Sequence, residues 1–595
     1  MSHPEEEVLG KAYDARLMRR LLVYLRPYRP QVALAFVAIL ASSGASLAQP
    51  YLVKLAIDDH VATGRLEGLG RLAAVYAAIL VGAFVADFVQ TWTMQMTGQR
   101  IMFDLRMSLY GHLQKLDVRY YDRNPVGRLM TRVTSDVDVL NDLFTSGVVT
   151  IFGDVFTLVG IMAVMLWMNW RLALVSFLVL PLLVAITQWF RRNVRESYRV
   201  VRGWIARINA FLQEHITGMA TVQLYRREAL DFERFDDIDR KHRDANIDSI
   251  FYYAVFYPAV EAVAALAAAL IIWYGGGRVV NGALTLGALA AFLQYSQRFF
   301  RPISDMSEKF NVLQAAMAAS ERIFGLLDEP VAIVSPERPA ARPAPATGHI
   351  RFEHVWFRYG DEWVLEDVSF EVRPGERVGV VGATGSGKTT LVNLLLRFYD
   401  VQKGRITIDG VDVRELALDD LRGLFGLVMQ DVHLFSGTIA DNIRLGEAMD
   451  DERVRRAAEA VHADAFIGRL ADGYASKVAE RGATLSVGQK QLLSFARALA
   501  SDPRILILDE ATSSVDTETE LLIRDALGVL MAGRTTIAIA HRLSTIQDMD
   551  QILVLHKGRL RETGTHQELL AQRGIYYRLF ELTLSAGNRA VGIGG

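Results

Sequence analysis

The stretch ERVGVVGATGSGKTTLVNLLLRF, residues 376–398, decides the fold class of the second half of this chain. It predicts a short β-strand, a glycine-rich turn at residues 382–387 and a helix that begins at Lys388. The turn matches the pattern G-x-x-x-x-G-K-[ST], whose backbone N–H groups surround phosphate oxygens at a helix N-terminus. Lys388 adds a positive charge for the β- and γ-phosphates, and the Thr389 hydroxyl is a ligand for Mg²⁺. The residues of this stretch predicted to bind ATP are Gly382, Ala383, Thr384, Gly385, Ser386, Gly387, Lys388, Thr389 and Thr390.

A second segment, RILILDE at residues 504–510, supplies the other half of a nucleotide site. It predicts a buried strand that ends in two carboxylates, and ligands of such α/β sheets bind at the carboxyl ends of the strands. Asp509 is predicted to hold Mg²⁺, directly or through a water. Glu510 is predicted to orient and deprotonate the attacking water. The two segments together predict an ATP hydrolase.

Proline is concentrated between the two halves of the chain. Five of its fifteen prolines lie between residues 330 and 345, a composition typical of an extended linker. The predicted fold class is therefore multidomain, an all-α transmembrane domain followed by an α/β domain. The predicted boundaries are residues 1–328 for the membrane domain, 329–347 for the linker, 348–585 for the α/β domain and 586–595 for a flexible tail.

Long uncharged apolar stretches occur in the first part. The chain is 51% hydrophobic and 22% charged, which indicates a membrane half joined to a soluble half. Because lipid offers no partners for backbone polar groups, a spanning helix needs roughly 20 apolar residues. We predict six spans, near residues 31–53, 72–94, 145–168, 172–190, 251–275 and 282–302. Asp87, Asp154 and Glu261 fall within or near spans, but such groups can be hydrated or paired, so they are not included in the predicted site.

Basic residues are concentrated in the long connections between spans two and three and between spans four and five. By the positive-inside rule, these connections, both termini and the α/β domain lie in the cytoplasm of a plasma (inner) membrane protein. The acidic first residues argue against a cleaved signal peptide. The connections are rich in helix formers, so we expect helical extensions. Their tips, near residues 120–127 and 217–227, are predicted to contact the cytoplasmic domain; a solvated helical hairpin is the alternative.

Charge and cysteine content exclude several classes of function. The formal net charge of −2 provides no basic surface for nucleic acid, so that partner is not expected. With no cysteine, the chain has no disulfides, thiolate chemistry or cysteine-ligated metal. The expected partners are the lipid bilayer and a small substrate.

Further motifs occur in the order found in the ATP-binding cassette, and the chain resembles ABC transporters from its N-terminal helix to about Leu584. The matching residues are Tyr359 in FRYG, Gln430 in LVMQDVHLF, the signature segment LSVGQKQ at residues 485–491, Asp516 in SSVD and His541 in AIAHRLST. The resemblance implies that Tyr359 stacks on adenine, that Gln430 links nucleotide and Mg²⁺ to the membrane domain, and that His541 contacts the γ-phosphate. It also implies that Asp516 lies in a loop that crosses to a partner subunit.

In this family the signature segment of one subunit closes the phosphate loop of the other. The resemblance assigns Ser486, Gly488 and Gln489 to the partner's ATP, and a helix N-terminus attracts an anion. One phosphate loop and six spans therefore imply pairing with a second half-transporter. A membrane domain followed by a cassette resembles exporters. We expect ATP-driven export, or flipping from inner to outer leaflet, of a hydrophobic or amphipathic substrate such as a drug or lipid, by alternating access.

Position 487 departs from the usual signature LSGGQ, because valine stands where the family has glycine. A β-branched residue removes backbone freedom and adds bulk where phosphate approaches. An intact Glu510 beside a weakened signature resembles one partner of heterodimeric bacterial exporters. The pattern favours a heterodimer and leaves a homodimer open. A nucleotide-gated channel or regulatory membrane protein with little ATP hydrolysis is the alternative function, which Glu510 and His541 disfavour.

Overall fold

The computed structural model describes residues 14–342, 344–479, 482–509, 517–539 and 546–582, with side chains except at 146–149, 300–301, 303–308, 310–311 and 517–518. These residues form two compact units. The first unit runs to Gln114 and continues over Val126–Glu329, and the second contains Lys115–Pro125 and the chain from Pro330 onward. The chain passes from the first unit to the second for the last time between Glu329 and Pro330, where the proline-rich linker is predicted to begin.

The first unit is helical. In chain order the α-helices up to residue 329 are α1 (Ala15–Tyr24), α2 (Arg29–Leu55), α3 (Leu69–Leu113), α4 (Val118–Arg123), α5 (Val126–Val133), α6 (Ser135–Asp142), α7 (Val148–Phe177), α8 (Leu180–Thr217), α9 (Met219–Leu224), α10 (Glu228–Leu270), α11 (Gly276–Val280) and α12 (Leu286–Leu327). Of these, α4 belongs to the second unit. Buried apolar side chains of α7 and α12 form one cluster, which includes Met165 and Phe292, and those of α8 and α10 form another, which includes Leu183 and Val263.

Four helical stretches among the described residues are long and apolar enough, by length and composition, to cross a membrane: Arg26–Val61, Leu69–Leu113, Val126–Phe177 and Glu228–Val280. They contain four of the six predicted spans, those at 31–53, 72–94, 145–168 and 251–275. The segment 172–190 is divided between the end of α7 and the start of α8, and the segment 282–302 lies mostly in α12. Both remain predicted spans. Large apolar side chains stay exposed on the four stretches, among them Phe84 (72%) and Trp167 (73%), as a lipid-facing surface requires.

A break in α7 coincides with the predicted boundary between spans three and four. Asn169 leaves the helical conformation, with φ −159° and ψ 101°. Its side-chain Oδ1 accepts a hydrogen bond from the Leu172 N–H at 3.1 Å, as an N-cap residue does for the helix that follows. The helix then stops again at Phe177, and α8 starts with Pro181 at its second position, where a proline needs no N–H partner.

The three acidic residues in or near the spans have different environments. Asp87 of α3 accepts a hydrogen bond from the Ser42 hydroxyl at 2.5 Å. Asp154 of α7 forms an ion pair with Lys309 of α12. Glu261 is exposed on α10.

The second unit is an α/β domain. Its strands are β1 (Ile350–Phe357), β2 (Leu365–Val372), β3 (Arg377–Val381), β4 (Lys403–Ile408), β5 (Val411–Asp412), β6 (Phe425–Val428), β7 (Gly437–Thr438), β8 (Lys477–Val478), β9 (Ile505–Asp509), β10 (Thr535–Ile539), β11 (Gln551–His556) and β12 (Arg559–Gly564). Its further helices are α13 (Lys388–Leu395), α14 (Leu418–Arg422), α15 (Ile439–Arg444), α16 (Asp451–Ala460), α17 (Asp464–Ile467), α18 (Val487–Ala500), α19 (Thr517–Met531) and α20 (His566–Gln572).

The described strands form three sheets. The largest has the order β12-β11-β3-β10-β9-β6, in which all neighbours are parallel except β12 and β11. A second, antiparallel sheet has the order β2-β1-β4-β5, and β7 pairs with β8. The order of the large sheet places β10 between β3 and β9.

Both faces of the parallel sheet are covered, which explains the continuous apolar run in β9. Leu506 and Leu508 belong to one buried cluster with α18, whereas Ile505 and Ile507 belong to another with α13. Side chains of a strand alternate between faces, so a strand buried on both sides is apolar throughout. Each such side chain contributes about 1.5–3 kcal/mol by its burial. This packing holds β9 rigidly in place, with Asp509 at its end.

Candidate nucleotide site

The glycine-rich turn between β3 and α13 forms a narrow backbone cradle. Gly385 and Gly387 have positive φ values of 79° and 104°, which L side chains rarely adopt. A Cβ at Gly387 would approach the Leu365 Cδ2 atom to 2.6 Å, and one at Gly382 would approach the Ser386 Oγ atom to 2.6 Å. The Ser386 hydroxyl is itself buried and has no hydrogen-bond partner within the described part of the chain. A phosphate oxygen would satisfy it.

Lys388 lies at the start of α13 and is only 7% exposed. Its Nζ atom donates to the carbonyl oxygens of Gly382 at 2.8 Å and Ala383 at 3.2 Å, so the amine holds the turn closed. Burial lowers the pKa of Lys388, and the negative charge of Asp509 opposes that shift. The next residue, Thr389, is exposed, so its hydroxyl is available as a ligand.

The carboxyl ends of four parallel strands bring the other predicted residues to the same edge. Asp509 is opposite Ile539 of β10, which is in turn opposite Val380 of β3. Two strand spacings, roughly 10 Å, therefore separate Asp509 from the strand that leads into the phosphate loop. Gln430 follows the neighbouring strand β6 by two residues and is exposed. The predicted residues Glu510, Asp516 and His541 lie outside the described residues.

Tyr359 is held beside the phosphate-loop helix. Its hydroxyl donates to Thr390 Oγ1 at 3.3 Å and accepts from Asn393 Nδ2 at 3.4 Å, both on α13. Its ring meets those of Phe357 and Tyr399 edge-on, with centroids 4.8 and 5.0 Å away. Tyr359 is still 37% exposed and lines a cavity of about 170 Å³. Because two aromatic edges orient it, the ring offers a fixed face for stacking.

The signature segment forms the start of α18. Ser486 is the N-cap residue: its Oγ accepts from the Gln489 N–H at 3.2 Å, while Gln489 Oε1 accepts from the Ser486 N–H at 3.0 Å. This capping box uses the Ser486 oxygen as an acceptor, so its O–H remains a donor. Gly488 is buried in the first turn.

Val487 is the first residue of α18 and is 56% exposed. The helical conformation suits valine, and the position needs no positive φ. The expected loss of backbone freedom at residue 487 is therefore not a defect of this signature. At position 487, valine therefore differs from glycine only by the bulk of its exposed side chain.

The predicted nucleotide residues form two separate groups within the chain. Tyr359, the phosphate loop, Asp509 and Gln430 lie around one end of the parallel sheet. In the part of the chain that the structure describes, no hydrogen bond or ion pair joins Ser486, Gly488 or Gln489 to the phosphate loop. The arrangement can hold ATP and Mg²⁺ from one side, with hydroxyl, amide and carboxylate oxygens of the kind that Mg²⁺ prefers.

Comparison with known proteins identifies the family. The family model described as "ABC transporter transmembrane region" matches residues 32–303, and the one described as "ABC transporter" matches residues 365–513. A lipid A-core flippase of Syntrophus aciditrophicus, described as ATP-dependent, is 36% identical over 95% of this chain and 94% of its own length. The chain belongs to the ABC transporter family.

Two other relatives of this ABC transporter have informative names. The "Fatty acid ABC transporter ATP-binding/permease protein" of Mycobacterium tuberculosis is 40% identical over 86% of this chain and 80% of its own. The "Probable multidrug resistance ABC transporter ATP-binding/permease protein YheH" of Bacillus subtilis is 38% identical over 87% of this chain and 77% of its own. The transporter is thus an ATP-hydrolysing membrane protein with a helical membrane region followed by an ATP-binding cassette.

The tip of the first long connection packs with the cassette. Residues Lys115–Pro125 form one compact unit with the cassette, and the Tyr399 hydroxyl donates to the Asp122 carboxylate of α4. Burial and then the bond to Asp122 raise the pKa of Tyr399 well above its usual value. The contact agrees with the prediction for the first tip. The contact of the second tip, near residues 217–227, stays a prediction.

Sequence reasoning did not identify Tyr399 as part of this machinery. Tyr399 follows α13 in the run RFYD, where an aromatic residue is ordinarily core. The hydroxyl of Tyr399 is the feature that could have indicated this role, since a tyrosine in an apolar environment needs a hydrogen-bond partner. Its ring also touches Tyr359, so one residue contacts both the predicted adenine platform and the tip.

Proposed function

We propose that this ABC transporter is one half of an exporter that moves hydrophobic or amphipathic substrates, such as drugs or lipids, outward or from the inner to the outer leaflet. The names of its relatives support this, since two refer to lipids or fatty acids and one to multidrug resistance. A membrane region and a cassette on the same chain support a half-transporter. The proposed location is the plasma (inner) membrane, with both termini and the cassette in the cytoplasm.

The separation of the phosphate loop from the start of α18 carries the proposal of a dimer. Among the described residues, the start of α18 makes no hydrogen bond to the phosphate loop, so this chain's own signature segment would not cover the γ-phosphate of ATP held there. A second cassette would cover that side with its own Ser486, Gly488 and Gln489. The first turn of a helix suits this role, because its N–H groups have no intrahelical acceptors and its dipole favours an anion. Each ATP would then be bound by two chains.

A heterodimer is the favoured assembly, and a homodimer is the second candidate. The exposed side chain of Val487 lies beside Ser486, at the surface that would face the partner's phosphate. Its bulk would weaken the site that this chain completes for its partner. Glu510 would keep this chain's own site catalytic when the partner contributes an unmodified signature. Asp516 belongs to the loop proposed to cross between the chains.

The roles of the remaining residues follow from their chemistry. Thr389, Gln430 and Asp509 would hold Mg²⁺, which neutralises charge on the transferred phosphoryl group when it is bound. Lys388 would exchange its carbonyl partners for phosphate oxygens. Glu510 would orient and deprotonate the attacking water, and His541 would contact the γ-phosphate. Tyr359 would stack on adenine.

Transport would follow from dimer closure. ATP can shift the conformational equilibrium only by its preference for the closed cassettes, so the shared sites are the source of work. The cytoplasmic tips would carry closure to the membrane helices and turn the substrate cavity outward. Hydrolysis would then release the cassettes.

The test is ATP-driven transport by the full chain, with any copurifying partner, in proteoliposomes. We expect uphill movement of a fluorescent amphiphile together with phosphate release. Glu510→Gln should preserve ATP binding and slow hydrolysis by about 10²–10⁴-fold. Glu447→Gln, at an exposed position, is the matched control. Wild-type hydrolysis by Glu510→Gln would refute its catalytic role, and full-speed hydrolysis by a monomer would refute the shared site.

A further inference from the structure

Arg298 of α12 contacts α2 through neutral acceptors. Its Nη1 donates to the Ser46 carbonyl oxygen at 2.5 Å and to Ser46 Oγ at 3.1 Å. Its Nη2 donates to Gln49 Oε1 at 2.7 Å. A guanidinium has five N–H groups. Among the described residues, its Nε–H and one Nη2–H have no acceptor, so part of this cation remains available for a ligand.

The other basic side chains that the structure describes on the membrane unit's last helix are neutralised. Lys309 forms an ion pair with Asp154, and Arg322 forms one with Asp136, with 2.5 Å between Nη2 and Oδ1. Arg298 differs, since no carboxylate of the described residues lies within 4.0 Å of it. Asp87 contacts the same helix α2 one turn away, but it bonds to Ser42. Among the side chains that the structure describes, the positive charge of Arg298 therefore has no carboxylate partner.

Arg298 belongs to a polar seam between α2 and α12, which we define by Ser46 and Gln49 on α2 and Arg298 on α12. Ser46 and Gln49 are three residues apart, so they lie on one face of α2. Tyr295 adds a further link, because its hydroxyl donates to the Leu47 carbonyl oxygen at 2.5 Å. The seam residues are half-buried. Polar side chains of membrane helices face the bundle interior or a water-filled cavity.

A cation in such a place is costly unless an anion joins it. We propose that Arg298 binds the oxyanion head group, a carboxylate or a phosphate, of an amphiphilic substrate, while the apolar tail lies along the membrane helices. The guanidinium is planar and recognises such oxygens with two parallel N–H donors. The inference rests on the proposed export function and adds the substrate class: anionic amphiphiles.

The experiment compares head groups on one alkyl chain. Dodecanoate, dodecyl phosphate, dodecylamine and dodecanol are each titrated against the ATP hydrolysis of the full transporter in lipid nanodiscs, and their transport is followed in proteoliposomes. The variants are Arg298→Gln, which removes the charge, and Arg298→Lys, which keeps it. Tyr295→Phe is the matched control, because it removes a hydrogen bond of the same seam without changing any charge.

We expect the wild-type protein to respond to the two anions at the lowest concentrations. Arg298→Gln should raise the half-maximal concentration of the anions about tenfold or more and those of the amine and alcohol less than about twofold. Arg298→Lys should fall between wild type and Arg298→Gln. The anion with the larger shift identifies carboxylate or phosphate as the preferred head group.

Three results would overturn the assignment of Arg298: equal shifts for all four probes, the same shifts in Tyr295→Phe, or a wild-type protein that does not distinguish the head groups. If ATP-dependent transport persists in the last case, the export function stands and only the substrate class is wrong. If the wild-type protein moves no probe with ATP, both the export function and the assignment of Arg298 are refuted.

Discussion

The hydrogen bond from Tyr399 to Asp122 joins the first tip, near residues 120–127, to the cassette, so its loss should uncouple ATP hydrolysis from transport. Tyr399→Phe removes the hydroxyl and keeps the ring that packs against Phe357 and Tyr359. Because the pKa of Tyr399 is raised, the hydroxyl stays protonated and donates at every physiological pH. The variant therefore isolates this bond over the whole working range of pH.

The expected magnitude follows from the burial of the two partners. A hydrogen bond to a charged acceptor is worth about 1.5–3 kcal/mol. Tyr399 is buried, with 7% of its surface exposed, but Asp122 is exposed and partly screened by water. Screening therefore places the value just below this range, at about 1.4 kcal/mol, which changes the ratio of docked to undocked tip about tenfold.

The assay is the amount of substrate moved per ATP hydrolysed in proteoliposomes. Tyr399→Phe should lower this ratio several-fold while ATP binding is kept, and Asp122→Asn should lower it similarly. The double variant should be no worse than either single variant, because both remove one bond. Losses that add in the double variant would refute the reasoning, and so would a wild-type ratio in Tyr399→Phe.

Two further predictions concern the start of α18. Ser486→Ala removes the side-chain cap and should lower stability by about 1 kcal/mol, whereas Ser486→Asn keeps a cap. Thermal unfolding of the transporter measures the stability of both variants. Equal losses of stability in the two variants would contradict the capping role of Ser486. Val487→Gly should cost the helix up to about 1 kcal/mol but remove the exposed bulk, so we expect faster phosphate release by the paired transporter. An unchanged rate would show that this valine does not limit closure.

Several features could be predicted because their physical causes are local in the chain. Strand, turn and helix of the phosphate loop are consecutive, and the positive φ at Gly385 and Gly387 needs glycine wherever the loop is placed. The break at Asn169 also lies between two apolar stretches that the sequence separates. In contrast, the expectation for Val487 was incomplete, because a signature motif does not reveal that its third residue is already helical.

The sequence by itself determined the cassette, its phosphate loop, the apolar segments and the family, since each depends on neighbouring residues and their spacing. Only the tertiary structure decided which distant groups meet. Tyr399 and Asp122 are 277 positions apart, and Arg298 and Ser46 are 252 apart. Such contacts arise from how helices and strands pack, and packing depends on the shapes of whole elements. Local patterns therefore predict the parts of this transporter, whereas the contacts that couple them require the folded chain.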